Sequence, residues 1–393
     1  MRVDRVAHGG SVVGRHEGVV VFVRHALPGE RVVVEVTEGA EGDRFLRADA
    51  VEVLEPSPDR VVPPCPFAGP GRCGGCDFQH VRLPAQRALK AAVVAEQLRR
   101  LAGLEVDVQV EAVPGDADGL DWRTRIQWAV ADDGTPGLHR HRSHTVVPVD
   151  DCRIAHPGLP HVPGSRWTGA AAVEAIVSGT GERLRLVRSL DGGTCAEGPL
   201  VLHERAAGRE WRTTGSGFWQ VHPGAADVLV DAVVEGLAPL PGERAVDLYA
   251  GVGLFSASLA GAVGPSGCLL AVEGDAMAAD DAAVNLADLP QASVLTASVE
   301  SALKAGEAGE SADLVILDPP RTGARRPVVE GVVRLRPRAV AYVACDPAAL
   351  ARDIATFAEH GYRLERLRAF DIFPMTSHVE VVAQLVKSDA DLR

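Results

Sequence analysis

The 393-residue sequence predicts a multidomain chain: a small amino-terminal β-barrel, a central α+β unit, and a carboxy-terminal α/β unit on a mostly parallel sheet. Three observations carry that reading. Residues 1 to 55 alternate apolar and polar residues, as in GVVVFV and ERVVVEV, with turns at LPGE and EGAEGDR, so short strands succeed one another. From Pro241 onward, apolar runs alternate with helical stretches, the pattern that parallel strands joined by crossover helices require. Between them, PSPDRVVPP marks a linker, because clustered prolines remove ladder donors. The boundaries fall at 1–56, 57–215 and 216–393.

Composition narrows the function classes. The chain is 46% hydrophobic and 24% charged, ordinary for a globular protein. No apolar run approaches a membrane span, and MRVDRVAHGG lacks an apolar signal core, so a cytoplasmic protein that does not touch membranes is expected; a monomer is the separate expectation for its assembly. A net charge of −13 argues against a protein that simply coats itself with nucleic acid; any polyanion must meet a local basic patch. The least acidic part runs from Asp121 to Arg188, with nine arginines against seven acids. Trp122, Arg123, Arg125 and Trp128 there have a spacing that suits base stacking, though core tryptophans beside surface arginines are the commoner arrangement.

Seven cysteines, odd in number and unevenly spaced, fit a metal site plus free thiols better than a disulfide framework. Cys65, Cys73 and Cys76 lie within a dozen residues, among glycines that let the backbone wrap a compact object. Cys152 is the best fourth ligand. Four thiolates suit zinc or a 4Fe–4S cluster, and spacing does not choose between them. Next, PAQRALKAAVVAEQLRRL (residues 84–101) predicts an amphipathic helix, with proline in its first turn and Gly103 as its stop. Residues 105 to 210 predict short strands, such as RIQWAV and RLRLVRSL, with a helix near AAAVEAIV.

The carboxy-terminal unit carries the chemistry. ERAVDLYAGVGLFS predicts a strand, a glycine turn and a helix start, where Gly251 lets the backbone pass close to a bound group. The next strand ends in Glu273, where a carboxylate accepts both hydroxyls of a ribose. SADLVILDPPRTG ends a strand at Asp318, and AVAYVACDP delivers Cys345 to the end of another before proline breaks the run. A lone cysteine is by default a small buried hydrophobe. Here the glycine loop upstream and FPMTSHVE downstream converge on it, so Cys345 is the candidate nucleophile. The last two strands, joined by a reversal, complete a seven-strand sheet with an antiparallel edge hairpin.

Taken together these segments resemble the RNA uracil-5-methyltransferase family, in the branch with a TRAM domain and a 4Fe–4S cluster. The TRAM resemblance, to an OB-like RNA-binding barrel, rests on Gly14, Gly18, Phe22, Pro28, Gly29 and Glu30. The rest is carried by the cysteine loop, GFWQ, DLYAGVG, AVE, LDPPR, YVACDP and FPMTSHVE. The resemblance implies a Rossmann-like methyltransferase domain using S-adenosylmethionine, with Gln220, Tyr249, Gly251, Glu273, Asp318 and, less directly, Ser298 contacting it. It also implies Cys345 as nucleophile, Glu380 as general base, and Cys65, Cys73, Cys76 and Cys152 as cluster ligands, with zinc the alternative. The implied substrate is a uridine in a loop or single-stranded region of RNA, 23S ribosomal RNA ahead of transfer RNA. Departures occur at Ala250, Leu254, His222, Ala344 and Asp346, none of which removes a reacting group.

That chemistry suits the residue types. Carbon 5 of uracil is too weak a nucleophile to attack a methyl sulfonium unaided, whereas thiolate addition at carbon 6 puts electron density on carbon 5. A carboxylate must then remove the carbon 5 proton before the thiol leaves. Three rivals remain: a cytosine-5-methyltransferase, which places its cysteine one strand earlier; an amino-methyltransferase, which follows its prolines with an aromatic where Arg321 stands; and a non-catalytic RNA-binding factor.

Overall fold

The computed structural model describes residues 1–40 and 42–388. Strands β1 (Val3–Val6), β2 (Val12–His16), β3 (Val19–Arg24), β4 (Arg31–Glu38) and β5 (Phe45–Glu55) form one sheet in the order β1-β2-β3-β5-β4. Its edges meet through an Arg2–Arg31 bridge and backbone bonds between Met1 and Val32, so the sheet closes on itself around Val3, Val12, Val21, Val23 and Val32. Period-two alternation in these strands turns one set of valines inward, and closure removes the exposed edge.

Helix α1 (Leu83–Gln97) follows, continued by a π-helical turn at Leu98–Ala102 that ends on Gly103 at φ +69°. A second sheet then runs antiparallel: β6 (Val110–Ala112) stands apart, while β7 (Arg125–Val130), β8 (Pro136–His139), β9 (Val146–Pro148), β10 (Ala170–Val177), β11 (Arg183–Ser189) and β12 (Thr194–Glu197) pair as β12-β11-β10-β7-β8-β9. The expected helix at AAAVEAIV is instead β10, a strand bonded on both sides by β7 and β11. Alanine's helix preference loses there to two ladders and a nearly continuous buried face. Trp122 and Trp128 are core residues, 1% and 4% exposed. A hairpin, β13 (Val201–Ala206) and β14 (Arg209–Thr214), leads to helix α2 (Ala225–Leu237).

The remaining elements alternate as the sequence predicts: β15 (Arg244–Leu248), α3 (Leu254–Val263), β16 (Cys268–Glu273), α4 (Ala276–Asn285), β17 (Ala292–Thr296), α5 (Val299–Ala305), β18 (Leu314–Leu317), α6 (Arg325–Arg334), β19 (Ala339–Ala344), α7 (Pro347–Glu359), β20 (Tyr362–Asp371) and β21 (Glu380–Lys387). The sheet has eight strands rather than the expected seven, in the order β17-β16-β15-β18-β19-β21-β20-β6. Strand β21 is inserted antiparallel between β19 and β20, and β6 adds a parallel pair to β20, so β20 is not an edge. Two apolar layers cover its faces, and α1 and the π-helical turn after it join one of them through Val94 and Leu98. Among the described residues no helix is long and apolar enough to cross a membrane.

Candidate active site

Every residue of β19 is buried, and its ladder with β21 runs from Ala339 opposite Val386 to Ala344 opposite Val381. Cys345 directly follows the last residue of that ladder on one strand and Glu380 directly precedes it on the other, so both stand at the same end of the β19–β21 pair, near enough for the Glu380 carboxylate to act on the thiol. Asp346 then caps α7, its carboxylate accepting the Ala349 N–H at 2.8 Å, so the chain turns away directly behind the thiol.

The electrostatics tie these groups together. Burial pushes the half-buried Cys345 thiol up to about 11; the Glu380 carboxylate adds to the rise, Arg321 opposes it, and Asp318 adds a smaller push. Glu380, 5% exposed, is raised well above the ordinary carboxylate range by burial and then by Asp318, again against Arg321. Asp318, half-buried just past β18, is raised to about 7 by burial and by the neighbouring Asp247. Burial, reinforced by the like charges crowded at this sheet edge, therefore favours the neutral forms of both thiol and carboxyl. Arg321, exposed, is a cation that both sense, and the sequence singled it out only as the residue standing where an amino-methyltransferase has an aromatic. Its signal was its place in LDPPR, at the same sheet edge as the thiol.

One strand over lies a cradle. Tyr249, Gly251 and Gly253 all take left-handed backbone, at φ +66°, +54° and +90°. Holding Tyr249 there costs on the order of 1–3 kcal/mol, which the surrounding packing must offset. No atom lies within 4 Å of where a Cβ on Gly251 would stand, so the backbone faces open space. Its N–H donates to one Glu273 oxygen and the Asp275 N–H to the other, both at 2.7 Å, fixing that carboxylate at the end of β16. Beneath the turn, Asp247 is fully buried. One oxygen accepts the Ser256 hydroxyl at 2.6 Å, and the other finds no partner among the described residues. Gln220 is half-buried on the segment after β14, which Arg125 braces by donating to the carbonyls of Gly215 and Gly217. Ser298 is exposed and caps α5, with its hydroxyl engaged by Ser301. Tyr249, Gly251, Glu273, Asp318, Cys345 and Glu380 thus gather where strands end, as ligand sites of open α/β sheets do.

Cys65, Cys73, Cys76 and Cys152 line a separate cavity of about 300 Å³, with Arg123 and Gln79 beside them. The approach is close: a Cβ on Gly74 would lie 2.3 Å from the His141 backbone nitrogen, so only glycine fits. Burial raises Cys76 and Cys73 and pushes Cys152 up to about 11. Among the described residues, no three His, Cys, Asp or Glu side chains close round one point as a single ion requires.

Comparison with known proteins agrees with this layout. The model of the TRAM domain matches residues 2–51, and that of tRNA (uracil-5-)-methyltransferase matches residues 310–388. An uncharacterized RNA methyltransferase of Streptomyces coelicolor is 50% identical over 98% of this chain and 92% of its own length. One from Bifidobacterium longum is 38% identical over 98% of this chain and 95% of its own. Among solved structures, the Pyrococcus abyssi tRNA (uracil-54, C5)-methyltransferase, in complex with S-adenosyl-L-homocysteine, shares the fold. Its TM-score is 0.72 at 24% identity, covering 98% of this chain and 99% of that one. With a TRAM barrel ahead of the catalytic sheet and identity of this extent along the whole chain, the protein belongs to the RNA uracil-5-methyltransferase family.

Proposed function

We propose that this protein methylates carbon 5 of a uridine in RNA through a covalent adduct between Cys345 and carbon 6. The observation that carries the reading is that Cys345 and Glu380 flank the last pair of the β19–β21 ladder, Ala344 opposite Val381, with the Glu380 carboxylate acting on the thiol. S-adenosylmethionine supplies the electrophilic methyl group. Tyr249, Gly251, Glu273 and Asp318 would hold it with Gln220 and Ser298, and the open backbone at Gly251 and the unpartnered oxygen of Asp247 suit a polar ligand there. Cys345 gives its proton to solvent and adds to carbon 6 as the thiolate, making carbon 5 nucleophilic. After methylation Glu380 takes the carbon 5 proton, the electron pair re-forms the ring double bond, and the thiolate departs. Because carbon 6 is shielded in a stacked duplex, the uridine is unpaired or flipped out.

RNA as the polymer is supported by a groove of about 410 Å³ between the barrel and the β8–β9 hairpin, where Arg24, Arg47, Arg72, Arg140 and Arg142, beside Phe22, outnumber the carboxylates of Glu38 and Asp49. In a chain of net charge −13 that concentration of guanidinium groups suits a phosphate backbone. We take 23S ribosomal RNA in the cytoplasm as the first substrate to test and transfer RNA as the second, the latter because the Pyrococcus neighbour acts on it. The four cysteines would hold a 4Fe–4S cluster, since all four line one cavity. Iron and sulfide in the purified protein, lost together when the four are changed to serine, would support that, and stoichiometric zinc without iron would overturn it.

The central test uses RNA containing 5-fluorouridine, which has no carbon 5 proton to surrender. Wild-type protein should form a stable protein–RNA adduct, and Cys345→Ala should form none and methylate nothing. Glu380→Gln should accumulate adduct on ordinary RNA. Methylation of uridine by Cys345→Ala would end the covalent reading. Mass-spectrometric mapping of 5-methyluridine in RNA from cells lacking the protein identifies the substrate.

A further inference from the structure

The barrel touches the catalytic edge at one short turn. Between β1 and β2, residues Ala7 to Ser11 form a tight loop, closed by Ala7 N–H to the Ser11 carbonyl at 2.7 Å and Gly10 N–H to the Ala7 carbonyl at 3.0 Å. His8 on this loop points its Nε2 at an Asp346 carboxylate oxygen 3.1 Å away. Asp346 directly follows Cys345, and its other oxygen caps α7. The same loop reaches the base: a Cβ on Gly10 would lie 2.6 Å from Ser377 Cβ, three residues before Glu380. Ser377 is itself pinned, its N–H donating to Asp77 at 3.0 Å. One turn from the amino-terminal unit therefore abuts the residues beside both the candidate nucleophile and the candidate base.

We propose that His8 is a positioning residue for methyl transfer, reaching from the barrel to hold Asp346 and thereby fixing Cys345 relative to Glu380. The inference rests on the reading of Cys345 as nucleophile. Asp346 has two jobs, capping the helix and ending the strand loop, and a carboxylate held at both oxygens has one orientation. Without His8 the Asp346 side chain is free to rotate between cap and solvent, and the backbone that carries the thiol loosens with it.

The charges around the pair set its pH window. The Asp346 hydrogen bond raises His8 above its usual range, while burial and Arg352 on α7 oppose it. Asp346 in turn is held below the usual carboxylate range: its own burial works against this, and the His8 hydrogen bond, the Ala349 N–H and Arg352 together prevail. Around the thiol stand Glu380, Arg321 and Asp318. The ion pair is thus complete above the lowered carboxylate and is lost as pH rises through the raised histidine.

The test compares full-length wild type with His8→Ala, Asp346→Asn and the double variant, because asparagine caps a helix as well as aspartate does. Three quantities are read: kcat, KM for RNA, and the rate at which iodoacetamide labels Cys345 in the free protein, followed by mass spectrometry. For a pair this exposed, His8→Ala should lower kcat by about three- to fivefold near pH 6.5. The deficit should shrink as pH rises past the histidine range, and Cys345 labelling should change in step. In the Asp346→Asn background His8→Ala should add nothing. A change in KM alone, or equal losses at every pH and in both backgrounds, would overturn the proposal. Labelling reports the thiol whether or not it is the nucleophile, so failure of the covalent reading shows separately, as methylation surviving Cys345→Ala.

Discussion

At the scale of single residues, the site is governed by which charges share one sheet edge. Cys345 is raised to about 11 chiefly by burial, and Arg321 is the cation that opposes the rise. Removing that cation should therefore push the thiol still higher. Since the reactive fraction of a thiol grows about tenfold per pH unit below its pKa, a one-unit rise should slow Cys345 alkylation at pH 8 by about tenfold. Arg321→Ala should move the whole alkylation profile toward higher pH, and Asp318→Asn should move it the other way, because one carboxylate near the thiol is gone. An Arg321→Ala profile that overlays wild type would show that the guanidinium does not act on the thiol. The same groups act on Glu380, so the pH dependence of kcat should shift with the alkylation profile, although its limbs belong to the coupled set rather than to one residue.

At the scale of elements, the loop that carries the base is held by a helix from far upstream. Lys90 on α1 donates to Asp371 at 2.5 Å and to the Phe373 carbonyl at 3.0 Å, with the lysine and aspartate side chains 0% and 2% exposed. Gln86, one turn earlier, accepts the Met375 N–H at 2.8 Å. A buried pair gains little over an apolar pair, but breaking it strands a charge. Lys90→Met alone should cost about 3–5 kcal/mol, and Lys90→Met with Asp371→Leu should recover most of that, both read by denaturant unfolding. Equal losses in the single and double variants would show that the pair is not what ties α1 to β20. None of this was legible in the sequence, because Lys90 and Asp371 are 281 positions apart and neither lies in a motif. What was legible is local. Strand-end signals such as DLYAGVG, LDPPR and YVACDP are read one at a time, and a parallel sheet brings their ends to one edge without further instruction. The errors have the opposite cause: β10 is alanine-rich, and only its two partners make it a strand, while β6 is a short run that gains its identity from β20, far along the chain.

For the molecule as a whole, an acidic chain has to present a basic surface where it meets a polyanion, and the folding of distant segments provides one. Arg24 and Arg47 come from the barrel, Arg72 from the cysteine loop, and Arg140 and Arg142 from the end of the β8–β9 hairpin, so no single stretch of sequence reads as basic. Arg47 also lies over the rings of Phe22 and Phe45, at 5.6 and 5.4 Å, so an aromatic surface is offered beside the charges. Guanidinium groups on a phosphate backbone contribute through counterion release, which lends affinity and carries no information about the reacting base. Arg72→Ala and Arg140→Ala should accordingly weaken RNA binding to a similar degree for matched and mismatched sequences. Each should flatten the dependence of log Kd on log salt by about 0.7 for every phosphate of single-stranded RNA that the variant no longer neutralises. At saturating RNA their kcat should stay at the wild-type value, because neither is among the charges that act on Cys345 or Glu380. Fluorescence anisotropy across a salt series, paired with single-turnover methylation, checks both halves. An unchanged salt slope would place the RNA elsewhere on the surface, and a fall in kcat at saturation would mean that the groove shapes the active site as well as holding the polymer.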